Sequence, residues 1–179
     1  NHNEFIPVGD TLNKIVLYNA KIAEELLSDV ELVAMCDIDN PLYGKNGAAY
    51  IFAPQKGADA DMVADLDGKL QYIADLSQNQ TGKDFYTLKG AGAAGGMGFG
   101  VCAFLGGGLR PGVDLILDTI DFETQIKDAD FIFTGEGRLD SQSLSGKAVI
   151  GIARRAKGKP VIAVVGSVAD GWENAYNEG

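Results

Sequence analysis

The segment from residue 131 to residue 165 constrains the fold of this 179-residue chain more than any other part of it. Apolar runs at 131–133 and 161–165 have the composition of short buried strands, and residues 145–156 between them are typical of a helix. Strand, helix and strand in this order form the connection that joins parallel strands. We therefore predict an α/β fold, with a parallel sheet in this half of the chain.

Apolar periodicity also predicts the remaining elements. Residues 1–110 are less regular and richer in glycine than residues 111–179, so we place a domain boundary near residues 109–111. The predicted elements are helices at 11–28 (with Asp10 as N-cap), 59–78, 112–120 and 122–127, a helix that begins at Asp170, a strand at 30–36, and an apolar run at 48–52 that fits either type.

The charge balance limits the partners of the chain. Its 25 acidic and 15 basic residues give a net charge of −10, whereas nonspecific nucleic-acid binding needs a basic surface. An anionic ligand must therefore be held by a local cluster of Lys, Arg and backbone N–H groups. No apolar run approaches the roughly 18 residues of a membrane-spanning helix. We expect neither nucleic acid nor a membrane among its partners.

Other compositional signals concern compartment, catalysis and completeness. Cys36 and Cys102 form no disulfide or metal-ligand pattern, so we expect them to be reduced in a cytoplasmic protein. The single histidine, His2, lies at the end of the chain, which disfavours histidine-based catalysis. Because the sequence begins with Asn1 rather than methionine, we expect it to be a piece of a longer protein.

Two carboxylates follow the predicted strand at 30–36. Asp37 and Asp39 are two residues apart, so on an extended segment their side chains point to the same side. Paired carboxylates at a strand end can hold Mg²⁺ or orient a hydroxyl group. The alternative is a turn, because Asp and Asn before Pro41 readily bond their own backbone. The residues alone leave both interpretations open.

The densest glycine tract covers residues 90–100. Such a tract can cradle phosphate with backbone N–H groups, or it can let a neighbouring helix approach closely. Residues 90–95 also match the Gly-x-Gly-x-x-Gly fingerprint of NAD-binding proteins, with Asp114 near the position of the acidic ribose-binding residue. That match is weak, because residues 84–88 make a poor buried strand. A phosphate or substrate loop, close packing and a dinucleotide site all remain open.

Charged residues are concentrated after the first of the C-terminal strands. Lys147 opens the following helix, where the N–H groups and the helix dipole favour an anion, although Ala148 excludes a Walker A loop. Arg138 is suited to bind a carboxylate or phosphate through two hydrogen bonds. Glu136 and Asp140 suit a metal ion or a substrate hydroxyl. The alternative is a salt-bridge network on a surface loop, which the glycines on both sides of Glu136 disfavour.

Four segments together resemble the bacterial two-domain type of the glycerate kinase family. They are residues 36–42, 53–58 (with Ala53 where the family carries glycine), 90–96 and 134–147, and their order and spacing agree with the family along most of the chain. The resemblance implies two α/β domains, one Rossmann-like and built from both ends of the full chain, the other inserted in its middle. It makes residues 1–110 the latter part of the inserted domain and residues 111–179 the returning part of the Rossmann-like domain.

The resemblance further implies an ATP-dependent kinase that phosphorylates D-glycerate at the hydroxyl of carbon 2, with ATP and Mg²⁺ as cofactors. A fragment of such an enzyme need not be active alone, and exposed apolar surface would favour its self-association. The alternatives are an NAD-dependent oxidoreductase domain and a non-catalytic module that binds a small acid. The expected catalytic residues are Asp37, Asp39, Glu136, Arg138, Asp140 and Lys147, with Glu136 and Asp140 as Mg²⁺ ligands. The expected substrate- or nucleotide-binding residues are Asn40, Lys56, Gly92, Gly95, Gly96, Thr134, Gly135, Gly137, Ser145 and Gly146.

Overall fold

The computed structural model describes residues 5–140, 143 and 147–178. Contacts between residues divide the chain into two compact units, Asn1–Leu109 and Arg110–Gly179. The described residues combine helices with short strands, so the predicted α/β class is confirmed. The assignment of the two units to an inserted and a returning domain stays a prediction. Among the described residues, none of the helices combines the length and the apolar character that a bilayer crossing requires.

The N-terminal segment of unit 1 differs from the single helix predicted at 11–28. A 3₁₀ helix, Gly9–Lys14, is followed by a non-helical stretch and then by the short helix α1 (Lys21–Leu26). The reason is a tertiary contact. The Tyr18 N–H donates to the Gln80 side-chain oxygen at 3.2 Å, and the Gln80 side-chain nitrogen donates to the Tyr18 carbonyl at 3.1 Å. These bonds hold the middle of the segment out of a helix.

The rest of unit 1 carries the motif residues of the first half of the chain. Its elements are β1 (Val33–Met35), α2 (Ala48–Phe52), a 3₁₀ turn at Pro54–Lys56, α3 (Ala60–Thr81), α4 (Ala93–Leu105) and β2 (Gly108–Arg110). The strands β1 and β2 pair with each other. The strand predicted at 30–36 is thus shorter than expected, and the run at 48–52 that fitted either type is a helix.

Helix α3 follows the prediction for residues 59–78 closely. It begins where the Asp59 carboxylate accepts a hydrogen bond from the Met62 N–H at 2.9 Å, and it ends at Gly82, which has a φ of +70°. The predicted N-cap Asp10 caps no helix and instead accepts a hydrogen bond from Lys69 of α3 at 2.7 Å. The core beside α3 consists of Leu42, Ile73, Ala74, Ala91 and Phe99.

Unit 2 contains the parallel strand pair that the sequence predicts. Its elements are α5 (Gly112–Thr119), α6 (Phe122–Gln125), β3 (Ile132–Leu139), α7 (Ala148–Arg155), β4 (Val161–Val168) and a 3₁₀ helix at Trp172–Asn177. Strands β3 and β4 run parallel, with Ile132 beside Val161. The helices predicted at 112–120 and 122–127 are confirmed as α5 and a shorter α6. The helix predicted from residue 170 is a 3₁₀ helix instead.

Both strands of unit 2 are longer than the apolar runs that predicted them. Residues 134–139, which we expected on a loop, belong to β3, because their backbone pairs with β4 as far as Leu139. The strands approach closely at Gly135, where a Cβ atom would lie 2.4 Å from the carbonyl oxygen of Val164. The expected binding residues Gly135 and Gly137 are therefore strand residues, and packing against β4 already accounts for Gly135.

Candidate active site

Two sequence motifs of unit 1 meet backbone to backbone. The Gly92 N–H donates to the Asn40 carbonyl at 2.9 Å. A Cβ atom at Gly92 would lie 2.2 Å from the Pro41 carbonyl oxygen, so this position requires glycine. Close packing, one of the interpretations left open for the glycine tract, therefore explains Gly92. The contact brings the Asp37–Asn40 loop and the glycine tract into one local surface.

The carboxylates of this loop face solvent. Asp37 and Asp39 are both exposed. The Asp39 carboxylate pairs with the Lys89 ammonium at 3.0 Å, with side-chain exposures of 66% and 81%, so the pair is open to a ligand. The Asn40 side chain donates to the Asn46 carbonyl at 2.8 Å and thereby closes its own loop. Sequence reasoning missed Lys89, and its position directly before the glycine tract is the signal that would have found it.

Gly95 of the tract differs from Gly92. Helix α4 contains a left-handed turn in which Ala94, Gly95 and Gly96 have φ values of 51°, 76° and 104°. A Cβ atom at Gly95 would meet nothing within 4 Å, so close packing does not explain this glycine. Gly95 and Lys56 also line one cavity, although they are far apart in sequence. The structure therefore brings together two of the expected binding residues at this turn.

The local structure does not support the dinucleotide interpretation. In a dinucleotide-binding fold, a strand leads directly into the glycine fingerprint. Here the residues before the tract form turns, in which the Asp84 carboxylate accepts hydrogen bonds from the N–H groups of Tyr86 and Thr87 at 3.0 and 3.4 Å. Asp114, the candidate ribose-binding acid, lies inside α5 rather than at a strand end.

In unit 2, three of the expected site residues of β3 share one side of the strand. Alternate residues of a strand point to the same face, so Thr134, Glu136 and Arg138 lie on the side of Ile132. Ile132 is buried in the core of the unit. Exposure increases from Ile132 through the half-buried Thr134 and Glu136 to the exposed Arg138. The strand thus leads from the core to solvent at its carboxyl end.

Glu136 holds the least satisfied polar atom of this site. Its Oε1 atom is buried and has no hydrogen-bond partner among the described residues. A buried polar atom without a partner costs free energy, and more so when it is charged. An unpaired buried polar atom of this kind makes Glu136 a candidate for a functional role.

The end of β3 is held by a buried serine. Ser143 is fully buried, and its N–H donates to the Asp140 carbonyl at 3.0 Å, while its hydroxyl donates to the Arg138 carbonyl at 3.4 Å. The Arg138 guanidinium lies 3.6 Å from the Asp140 carboxylate, with side-chain exposures of 64% and 21%. Sequence reasoning missed Ser143, because a structural serine in a polar segment gives no distinguishing signal.

Lys147 stands at the start of α7. It is exposed and occupies the N-cap position, where its carbonyl accepts the N–H of Gly151 at 2.8 Å. Its own N–H donates to the Ser143 carbonyl at 3.3 Å, so a chain of backbone bonds connects the end of β3 to the helix start. Ser145 and Gly146, two of the expected binding residues, lie outside the described residues.

The carboxylates of unit 2 suit a magnesium ion that is shared with phosphate. Within the described ranges, no group of three or more His, Cys, Asp or Glu side chains forms a metal cluster. Mg²⁺ seldom needs one, because it is usually held by one or two carboxylates together with phosphate oxygens and water. Glu136 and Asp140 provide carboxylate oxygens of this type, although the Asp140 carboxylate also pairs with Arg138. Mg²⁺ binding nevertheless stays a prediction.

These features define an α/β protein whose charged side chains gather at the carboxyl end of a parallel strand, before a helix. That is where such folds bind phosphate-bearing ligands. The chain belongs to the glycerate kinase family, whose sequence profile matches residues 1–179. The family resemblance of the four segments is thereby confirmed.

Several relatives of the chain are named as glycerate kinases. A glycerate kinase of Halalkalibacterium halodurans is 42% identical over 173 residues, which cover 96% of this chain and 46% of the relative. A glycerate 2-kinase of Escherichia coli K12 is 41% identical over 172 residues, covering 95% and 45%. The crystal structure described as glycerate kinase 2 from Salmonella typhimurium LT2 matches with a TM-score of 0.76 and 36% identity, covering 95% of this chain and 50% of that one. The chain therefore spans about half the length of these proteins.

Proposed function

We propose that this chain is part of an ATP-dependent D-glycerate kinase that phosphorylates the hydroxyl on carbon 2. Family membership supports glycerate as the acceptor, and the Escherichia coli relative is called a glycerate 2-kinase. The observation that carries the proposal is the buried, unsatisfied oxygen of Glu136, on a strand that ends in charged residues before a helix. The cytoplasm is the proposed setting, in keeping with free thiols at Cys36 and Cys102.

The cationic groups of unit 2 supply the charge neutralisation that phosphoryl transfer needs. ATP and glycerate are both anionic, and catalysis of phosphoryl transfer is mainly positioning and electrostatic stabilisation. Lys147, the N-cap of α7, holds phosphate, and Ser145 and Gly146 before it stay predicted phosphate-binding residues. Arg138 holds the glycerate carboxylate or the transferring phosphoryl group. This local positive charge acts against a net charge of −10 for the chain.

The acidic groups of unit 2 act on the metal and the acceptor. Bound Mg²⁺ would neutralise charge on the transferring phosphoryl oxygens, and Glu136 and Asp140 would hold it. The same carboxylates are suited to accept a hydrogen bond from the attacking hydroxyl and so orient it. Thr134 lies on the same face of β3 as these groups and is suited to bind substrate through its hydroxyl, whereas Gly135 and Gly137, also predicted to bind, belong to the opposite face of the strand.

Unit 1 carries further predicted binding groups of its own. Asp37, Asp39 and Asn40 offer carboxylate and amide groups to the hydroxyls of substrate or nucleotide. Lys56, Gly95 and Gly96 offer an ammonium group and an open turn. The pairing of Asp39 with Lys89 gives this surface a second cation, which suits an anionic ligand.

Product analysis tests the proposal. The complete protein, supplied with D-glycerate, ATP and Mg²⁺, should release ADP, and ³¹P NMR of the product should show the resonance of 2-phosphoglycerate. The resonance of 3-phosphoglycerate would instead show that the hydroxyl on carbon 3 is phosphorylated. Glycerate binding without any ADP release would contradict kinase activity and favour a non-catalytic acid-binding module.

A further inference from the structure

Unit 1 contains a cavity that the assignment of catalytic residues does not use. Its volume is about 540 Å³, and it lies between the 3₁₀ helix Gly9–Lys14, helix α2 and helix α3. Cavities of roughly 300–1,000 Å³ are typical of small-molecule sites. The cavity is therefore large enough for a nucleoside and larger than a three-carbon acid needs.

The walls of the cavity are mostly apolar. Helix α2 contributes the small side chains of Ala48 and Ala49, and Ala53 follows directly after this helix. Phe52 contributes an aromatic ring, and Leu66 of α3 also lines the cavity. Aliphatic and aromatic side chains of this kind cover the faces of a planar ring well.

A cation and an open backbone turn lie at the same cavity. Lys56 lines it and is exposed, and within the described part of the chain its ammonium group has no ion pair. Gly95 also lines it, and a Cβ atom there would meet nothing within 4 Å. The cavity thus combines an apolar interior with a cationic group on its wall, which suits a ligand with a flat apolar part and an anionic tail.

We propose that this cavity binds the adenosine moiety of ATP, with Lys56 directed to the phosphate chain. The proposal rests on the proposed kinase function, because it concerns which reactant the cavity takes. Glycerate is too small and too polar to cover apolar walls of this extent, whereas adenine presents two apolar faces. The triphosphate supplies the negative charge that matches Lys56.

Calorimetric titration of the 179-residue chain with adenosine and with ATP tests the apolar cavity and the role of Lys56 separately. Ala53→Phe places a ring in the cavity and should weaken both ligands by about tenfold or more. Ala64→Phe, on the exposed side of α3, is the matched control and should leave both affinities unchanged. Lys56→Met should weaken ATP by about tenfold and adenosine by less than about twofold. Lys83→Met, an exposed lysine of the same unit, should change neither.

Photolabelling of the unaltered chain tests the cavity without any substitution, so the result does not depend on whether a variant folds. The unaltered chain, irradiated with 8-azidoadenosine, should carry the label on peptides that contain residues 48–56 or 66–70. Labels confined to unit 2, unchanged affinities in Ala53→Phe, or no adenosine binding would each overturn the cavity assignment. Kinase activity of the complete protein is measured separately. If the protein is active but adenosine does not bind in this cavity, only the cavity assignment is wrong. If the protein shows no kinase activity, the proposed function is wrong.

Discussion

The Arg155 guanidinium binds both carboxylate oxygens of Glu123, with Nε 2.6 Å from Oε1 and Nη2 2.8 Å from Oε2. The same group lies 2.6 Å from an Asp118 oxygen and donates to the Asp114 carbonyl at 3.1 Å. Arg155 therefore ties α7 to α5 and α6. Because Lys147 is the N-cap of α7, this clamp holds the helix directly after the proposed phosphate-binding lysine.

Arg155→Met should destabilise unit 2 measurably. The substitution keeps the aliphatic stem but leaves Glu123 and Asp118 without their shared cation. We expect the melting temperature of the chain to fall by about 5–10 °C. Arg154→Met is the matched control, because Arg154 pairs with Glu178 through a side chain that is 46% exposed. Its effect should be clearly smaller, and equal shifts for the two variants in scanning calorimetry would contradict the clamp.

The same network predicts a loss of stability in acid. The hydrogen bond from Arg155 lowers the pKa of Glu123, and hydrogen bonds from Arg110 and then Arg155 lower the pKa of Asp118. Carboxyl groups whose pKa is lower in the folded state stabilise it above their unfolded pKa, and they lose that contribution as the pH falls toward the folded pKa. The free energy of unfolding should therefore decrease below about pH 4. Urea titrations at several pH values should show a weaker acid dependence in Arg155→Met. An identical dependence would exclude Arg155 as the cause.

Lys147→Ala should slow the chemical step. If the ammonium group stabilises charge on the transferring phosphoryl group, kcat of the complete protein should fall by about 10²-fold or more. Lys127→Ala, at another exposed lysine of unit 2, is the control and should leave kcat unchanged. Near-normal kcat and KM for Lys147→Ala would remove this lysine from the site.

The isolated 179-residue chain should self-associate through β3 and β4. Phe133 and Ile162 are register partners on these strands and are 70% and 40% exposed, and Val164 on the same face is 69% exposed. An apolar face on a two-stranded sheet favours pairing with a second copy. Sedimentation velocity should show dimers or larger species at micromolar concentration, and Phe133→Ser with Val164→Thr should shift them to monomer. Ile22→Ser, at a residue of α1 that is also 70% exposed, should not. A monomeric unaltered chain would contradict this expectation.

Elements with local signals could be predicted from the sequence. Helix α3 has a capping aspartate, a continuous apolar stripe and a terminal glycine, so its bounds follow from residues within the helix itself. The prediction of a single helix at 11–28 was wrong because the contact between Tyr18 and Gln80 joins residues 62 positions apart. No local sequence pattern indicates such a contact. The extension of β3 was hidden because Gly135 and Gly137 resemble a loop until a partner strand lies beside them.

The residues of the candidate site also divide into those with a local sequence signal and those that depend on long-range contacts. The spacing of Glu136, Arg138 and Asp140 indicates a charged strand end, because charges flanked by glycines have no packing role of their own. The spacing of charges does not reveal the roles of Lys89 and Ser143, although Lys89 stands directly before the glycine tract. Lys89 acts through Asp39, which is 50 positions away, and Ser143 acts through backbone atoms of its own loop.

The charge on Glu136 is the most direct test of the proposed chemistry. Glu136→Gln keeps the shape of the side chain and removes the negative charge of a carboxylate whose buried Oε1 atom lacks a partner among the described residues. We expect an unchanged or higher melting temperature, because the unsatisfied charge is gone. Glu173→Gln, at an exposed position of the 3₁₀ helix Trp172–Asn177, is the matched control.

The deciding measurement is kcat of the complete protein with D-glycerate and Mg²⁺-ATP for these two variants. The proposed role of Glu136 predicts that kcat falls by about 10²-fold or more in Glu136→Gln and stays normal in Glu173→Gln. A normal kcat in folded Glu136→Gln would contradict the placement of the phosphoryl-transfer site at the end of β3.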